Sequence, residues 1–477
     1  MQLTQQDFPA HIFRAYDIRG RLSDLRLNVL VAIARAFAIQ LKQQQIDHVV
    51  LGFDARLDGK MYASYIQHIL IQQHIHVTAL GCCSTPYMYF MAQQLTKTGS
   101  GIMLTASHNP KTDHGIKWLS HKSPPTPEDI QNIAHLAKQQ YLADLTLPIV
   151  EVSEVIEIPS AQAYLAQLEH DIQLKKPLTV VVDGMHGAAG QYAEVILNTL
   201  GCKVIALRCY ANGDFPDHAP DPSKRQHLNL LCDAVKQHHA DLGLALDGDG
   251  DRLVVVDENS NIISPDQLMC IFAEMCLKQY PQQEIVFDVK CANMIEHVAQ
   301  RYGGTATMLR TGSTFLRRYL AENPRAVFGG EYAGHYVFND GRGLGYDDGL
   351  YAGLRLMEYF SQKASMGLSD LFLDYPERCF TEDTYIATTG VSAQTLLQHF
   401  KQSYGHNTQE KLTEIDGIRL DFAEGFGIIR ASNTGEYLTV RFDAVNDVIL
   451  QQIKTTFSEV FLPDYPTIAA DILQAHA

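Results

Sequence analysis

The sequence predicts an α/β protein of several domains: three with mixed, largely parallel sheets and a last one of α+β type. Four short apolar runs each end in aspartate: Val49 to Asp54, Val180 to Asp183, Leu242 to Asp247 and Ile285 to Asp288. Near-continuous apolar runs suit strands buried on both faces. Helical patterns lie between them, at Tyr62 to Gln72, Gln191 to Leu200 and Leu228 to His239. Strand and helix alternating in this way builds parallel sheets, whose ligands gather at the carboxyl ends of the strands. Near the end of the chain the period changes to two. Ile418, Leu420 and Phe422 alternate with polar residues, and so do Leu438, Val440 and Phe442. That spacing predicts antiparallel strands with one wet face, with a helix from about Asn446 to Phe461 over the other.

Size supports this division. A chain of 477 residues is too long for one core, and about three or four domains are expected at roughly 100–200 residues each. Three joints stand out. Leu147 to Ser160 is polar and β-branched. Asp257 to Asn261 is a turn cluster, so a hairpin leads out of the second block. Ser365 to Glu377, with Gly367 and Pro376, leads into the last domain. The expected domains are therefore 1–155, 156–260, 261–374 and 375–477.

Hydrophobic residues make up 46% and charged residues 19%, a globular composition. The net charge of −16 argues against nucleic acid as the main partner, although one cleft can still hold an anion. Met1 to Arg19 has no signal-peptide pattern, and no run reaches the ~18 apolar residues of a membrane span. The nine cysteines are scattered and form no C-x-x-C pair, which fits reduced thiols and a cytoplasmic location. His74, His76, Cys82 and Cys83 are read as strand and core residues rather than metal ligands.

Four segments carry chemistry. Asp247-Gly248-Asp249-Gly250-Asp251-Arg252 follows an apolar strand, and carboxylates at alternate positions can fold around one hard cation. Glu258 even falls where a calcium loop of the EF-hand type ends. However, Arg252 replaces the glycine such a loop needs, and strand follows at once. Thr105-Ala106-Ser107-His108-Asn109-Pro110 places a serine in a turn, with Lys117 a little further on. No G-x-S-x-G elbow is present, so acyl transfer is not supported, and the serine needs a base or metal to become a nucleophile. Gly330-Glu331-Tyr332-Ala333-Gly334-His335 offers a carboxylate and an imidazole between glycines, suited to sugar hydroxyls. Arg430-Ala431-Ser432-Asn433-Thr434-Gly435 offers an arginine fork and small polar residues for phosphate.

Together and in this order, these segments resemble the α-D-phosphohexomutases, most closely the bacterial phosphomannomutase/phosphoglucomutase group. The resemblance begins at Phe13-Arg14-Ala15-Tyr16-Asp17-Ile18-Arg19-Gly20 and covers nearly the whole chain. It implies four domains around one central cleft, each supplying one loop. It implies a phosphorylated Ser107 sharing a magnesium ion with Asp247, Asp249 and Asp251. Ser107, His108, Lys117 and Arg19 become the catalytic candidates. Tyr16, Arg252, Lys290, Gly312, Ser313, Glu331, Tyr332, Ala333, Gly334 and His335 are expected on the substrate, and Arg430, Ala431, Ser432, Asn433 and Thr434 on its distal phosphate. The partners are small phosphosugars, with a hexose 1,6-bisphosphate as intermediate and activator.

The chain departs from the family pattern at three places. Ala333 replaces the serine of the usual Glu-x-Ser-Gly, Ser313 stands where the phosphomannomutase group has histidine, and Gly435-Glu436 replaces Thr-Pro. These bear on sugar preference more than on the reaction. The rival readings are a phosphoglucosamine mutase, a metal-dependent sugar phosphatase and a non-catalytic sugar-phosphate sensor. Neither the oligomeric state nor the general base is legible.

Overall fold

The computed structural model describes residues 8–143, 147–150, 161–363, 366–388, 390–405, 410–431 and 437–476. Part of the first joint, Ser365 of the last, and Ser432, Asn433, Thr434, Gly435 and Glu436 lie outside them. The described residues form four sheets with their helices. By internal contacts it divides into two compact units. The first comprises Met1–Ile263, Arg317–Glu322 and Ala333–Leu371; the second comprises Ser264–Leu316, Asn323–Tyr332 and Phe372–Ala477.

The first unit holds two sheets of five strands. One contains β1 (Ile18–Arg21), β2 (His48–Phe53), β3 (His76–Cys82), β4 (Gly101–Leu104) and β5 (Asp113–Leu119). Their order is β1-β5-β4-β2-β3, parallel through β4, β2 and β3 and antiparallel at β5 and β1. The other contains β6 (Thr179–Asp183), β7 (Lys203–Leu207), β8 (Leu242–Leu246), β9 (Leu253–Asp257) and β10 (Ile262–Ile263), in the order β10-β9-β8-β6-β7. The expected hairpin is β9–β10, closed by Asp257 Oδ1 accepting from the N–H groups of Asn259 and Asn261. Every residue of β8 is buried, as its unbroken apolar run requires.

The helix Gly349–Ser361 packs on β8 and β9. Its N-cap, Asp348, accepts from Tyr351 N–H at 2.9 Å and from the Tyr164 hydroxyl at 2.7 Å. Burial pushes the Asp348 carboxyl up to about 6. A carboxyl raised above its unfolded value binds its proton more tightly in the native state. Its contribution to stability is therefore greatest below about pH 4 and declines as the pH climbs toward 6. Asparagine caps a helix as well as aspartate does and cannot ionise. Relative to the parent, Asp348→Asn should gain about 2–3 kcal/mol between pH 4 and pH 7. Thermal midpoints of the two chains at both pH values test this. A difference that does not change with pH would refute it.

The second unit begins with a parallel arrangement of β11 (Glu284–Asp288), β12 (Thr305–Leu309) and β13 (Ala326–Gly330), β11 lying in the middle. The short strand β14 (Tyr336–Phe338) belongs to the first unit. The last sheet contains β15 (Cys379–Phe380), β16 (Thr384–Ala387), β17 (Lys411–Thr413), β18 (Ile418–Phe422), β19 (Gly425–Ala431) and β20 (Tyr437–Ala444). It is antiparallel throughout, with β19 between β18 and β20. The helix expected near Asn446 runs from Asp447 to Phe461, capped by the Asn446 side chain.

The wet face expected of this sheet is not wet. Arg419 and Arg441, on the polar side of the alternation, are each 1% exposed. Arg419 donates to the carbonyls of Val289 and Cys291 at 2.6 and 2.7 Å and stacks 3.8 Å from the Phe426 ring. Arg441 donates to the Lys290 carbonyl and to Asp266, and lies 3.6 Å from the Tyr332 ring. The two guanidiniums satisfy the backbone of residues 289–291, which lies against that face. Alternation reports that a face is polar; solvent is only one of the partners a polar face can take.

Candidate active site

The serine loop follows β4. Thr105 Oγ1 donates to Asp54, at the end of β2, and accepts from the Ser107 N–H, both at 2.7 Å. Arg56, buried, binds the same loop with its whole guanidinium. It donates to Asp54 and to the carbonyls of Ser107, Asn109, Pro110 and Asp113, over 2.6–3.1 Å. Ser107 is held at φ +53°, a left-handed conformation that a residue with a Cβ enters at a cost of about 1 kcal/mol or more. Its hydroxyl donates to Asp247 Oδ2 at 2.7 Å, and His108 Nδ1 lies 3.2 Å from Ser107 Oγ.

The acidic loop explains its own glycines. A Cβ on Gly248 would stand 2.5 Å from the Ser107 carbonyl, and Gly250 has φ +78°. Only glycine lets the two loops approach and lets this one turn so that three carboxylates converge. Asp247, Asp249 and Asp251 are buried, with one oxygen of each within 4.8 Å of the others. Oδ1 of Asp249 is buried without a hydrogen-bond partner. A set of buried, partly unsatisfied carboxylate oxygens fits a hard dication such as magnesium. Burial, then Asp251 and Asp249, push the Asp247 carboxyl up to about 8.

Lys117, on β5, donates to Asp249 and Asp251 at 2.8 and 2.5 Å. Burial works against its charge, but the two carboxylates win and hold the ammonium well above its ordinary value. Arg19, on β1, donates to Asp17 at 2.6 Å and to the Ala106 carbonyl and Asn109 at 3.2 Å. Burial, with Arg252 and Arg19 nearby, keeps His108 well below the usual imidazole value, and so neutral. Tyr16 is half-buried just before β1. Thr85, which the sequence did not single out, donates to Asp249 at 2.5 Å.

The end of the sugar loop lies in the same unit. Leu253 N–H donates to the Gly334 carbonyl at 3.1 Å, and Arg252 and His335 form a β-bridge. Arg252 Nε–H donates to His335 Nε2 at 2.9 Å. Nδ1 of His335 is 2.8 Å from Asp347 Oδ2 and 3.7 Å from Asp251 Oδ1. Ala333 brings no polar side chain.

The second unit gathers the other expected residues. Glu331, buried after β13, accepts from the Gly312 N–H. Ser313 opens the helix Ser313–Glu322. Tyr332 N–H donates to Asp288 at 3.1 Å, and Lys290 donates to Asp383 at 2.7 Å. Arg430, on β19, pairs with Asp416 at 2.7 Å, and Asp416 also accepts from Thr311 N–H at 3.1 Å. A cavity of about 320 Å³ is lined by Arg310, Lys401, Asp416 and Ala431, among others. The remaining residues of the phosphate loop, Ser432 to Thr434, lie outside the described residues.

Among the described residues, no helix is long and apolar enough to cross a membrane. The frame is that of the α-D-phosphohexomutases. A crystal structure of a phosphoglucomutase/phosphomannomutase family protein from Burkholderia thailandensis matches it with a TM-score of 0.87 at 31% identity, covering 96% of this chain and 98% of that one. Phosphoglucomutase/phosphomannomutase family profiles match as α/β/α domain I over residues 10–143, domain II over 162–260 and domain III over 264–379. A phosphomannomutase/phosphoglucomutase of Pseudomonas putida is 37% identical over 96% of this chain and 97% of its own length. A phosphoglucomutase of Neisseria gonorrhoeae is 34% identical over 94% and 96%. The chain belongs to the phosphoglucomutase/phosphomannomutase family, and is an isomerase that works by intramolecular phosphoryl transfer.

Proposed function

We propose that this isomerase interconverts the 1- and 6-phosphates of mannose and glucose through a phosphorylated Ser107 and a hexose 1,6-bisphosphate. The observation that carries the reading is the Ser107 hydroxyl bonded at 2.7 Å to Asp247, in a loop of three buried carboxylates. In the forward half, the bond from phosphorus to Ser107 Oγ breaks, a bond to the free sugar hydroxyl forms, and the proton that hydroxyl loses ends on Ser107 Oγ, restoring the serine hydroxyl. The bisphosphate turns end for end, and the reverse step returns its other phosphate to Ser107. Asp247, Asp249, Asp251 and the serine phosphate would hold Mg2+, which when bound neutralises charge on the transferring group.

The protein's own groups divide the remaining work. Lys117 and Arg19 are firmly cationic and suit developing phosphoryl charge better than proton removal. His108 stays neutral and borders the serine oxygen. Glu331, His335 and the backbone of the Tyr332–Gly334 loop are assigned to the sugar, with Tyr16, Arg252, Lys290, Gly312 and Ser313 completing its binding. Arg430, Ala431, Ser432, Asn433 and Thr434 are assigned to the distal phosphate. The reading keeps domain boundaries at about 155, 260 and 374, a cytoplasmic location and bisphosphate as activator.

The test is purified enzyme with Mg2+ and a trace of glucose 1,6-bisphosphate, offered mannose, glucose and glucosamine 1-phosphates. Turnover of the first two is expected. Robust turnover of the third, with neither of the others accepted, would overturn the sugar assignment.

A further inference from the structure

Asp347 has no place in the site as read from sequence, yet it is fully buried and borders His335. Its backbone is set from both sides. It forms a β-bridge with Val337, and the next residue but one, Gly349, donates its N–H to the Gly250 carbonyl of the acidic loop at 3.1 Å. On its far side, Arg317 Nη1 lies 3.7 Å from Asp347 Oδ1, and the Arg317 guanidinium rests 4.0 Å from the Tyr89 ring.

The hydrogen bond from Arg252 reports which nitrogen of His335 carries the proton. A guanidinium has only donors, so His335 Nε2 must offer a lone pair to Arg252 Nε–H. The proton is then on Nδ1, which faces the Asp347 carboxylate as an ion-pair contact at 2.8 Å, outside hydrogen-bond geometry. A line Arg317–Asp347–His335–Arg252 results, within one unit and ending beside the acidic loop. With its Nε occupied by His335, Arg252 keeps two terminal nitrogens for an anionic ligand.

Resting on the mutase reading, we propose that Asp347 is a positioning residue: it holds His335 as the Nδ1–H tautomer, and His335 in turn aims Arg252 at the phosphosugar. The competing reading is a second metal site, since donor atoms of Asp251, His335 and Asp347 lie within 4.8 Å of one another. The surrounding charges oppose it. Arg317 already pairs with Asp347, and a metal on Nδ1 would displace the proton to Nε2, against Arg252.

Two measurements test the proposal. In 15N-histidine-labelled protein, with His335 assigned by its loss in His335→Ala, the parent should give the Nδ1–H pattern. Asp347→Ala should lose it, and Asp347→Asn, which retains an acceptor of the same size, should keep it. This readout does not depend on turnover, so it fails or succeeds separately from the mutase reading. In kinetics, Asp347→Ala should raise KM about tenfold with kcat within about threefold, and Asp347→Asn should recover most of the loss. Combined with Arg252→Ala, Asp347→Ala should add no further cost. Additive costs, or an Nε2–H pattern in the parent, would overturn the proposal. So would a second equivalent of Mn2+ that Asp347→Ala abolishes and Ser107→Ala retains.

Discussion

Ser107→Ala should slow turnover of glucose 1-phosphate by roughly ten-thousandfold or more, because the proposed carrier of the phosphoryl group is gone. The hydroxyl it removes is the one bonded to Asp247, while the loop keeps its other fastenings. Thr105 Oγ1 accepts from the N–H of residue 107 and Arg56 donates to its carbonyl, backbone groups that alanine also has. The variant should therefore fold and bind metal, which circular dichroism and metal titration can check. Intact mass gives a second readout. The parent, incubated with glucose 1,6-bisphosphate, should gain one phosphoryl group at Ser107, and the variant none. A parent serine that stays unmodified under those conditions would sink the covalent mechanism, whatever the rates.

Asp249→Asn should act differently. Asp249 accepts from Thr85 and Lys117 on one oxygen, and its second oxygen is buried without a hydrogen-bond partner. Asparagine keeps the size, removes one of three anionic ligands and leaves Lys117 with one partner. Loss of one preorganised charge at a reacting centre costs about 10²–10³ in kcat. The fall should persist at saturating sugar, with KM nearly unchanged and the Mg2+ needed for half-activity raised. If excess sugar alone restores the rate, and the Mg2+ dependence is unmoved, the carboxylate serves binding and the assignment of the triad to chemistry is wrong.

The frame was largely legible because strand burial writes itself as apolar runs. All four runs ending in aspartate are strands, and the helices Gly59–Gln72, Gly190–Thr199 and Asn229–His238 lie where their periodicity put them. The chemical residues were legible where chemistry demands neighbours in sequence, as at Asp247 to Asp251. Residues that act across long loops left no such mark. Arg56 reads as an ordinary residue after a strand, yet it closes a loop more than fifty positions away. Asp347-Asp348-Gly349 before an apolar helix carries the signature of an N-cap, and Asp348 is the cap. Nothing local tells that its neighbour turns the other way, toward His335. The buried arginines of the last sheet were misread for the same reason. Their partners are carbonyls of residues 289–291, about 130 to 150 positions upstream.

The division of the chain has a consequence for biosynthesis. The first unit is not finished when its acidic loop leaves the ribosome. The helix Gly349–Ser361, which covers β8 and β9, comes with the segment Ala333–Leu371, after the chain has already entered the second unit. At typical rates of synthesis the nascent chain waits on the order of ten seconds with that face of the sheet uncovered. A chaperone that recognises bare apolar strands has its opportunity in that interval. A stop anywhere between Ile263 and Gly349 leaves a product that holds Ser107 and all three loop aspartates and still lacks the lid of its own core.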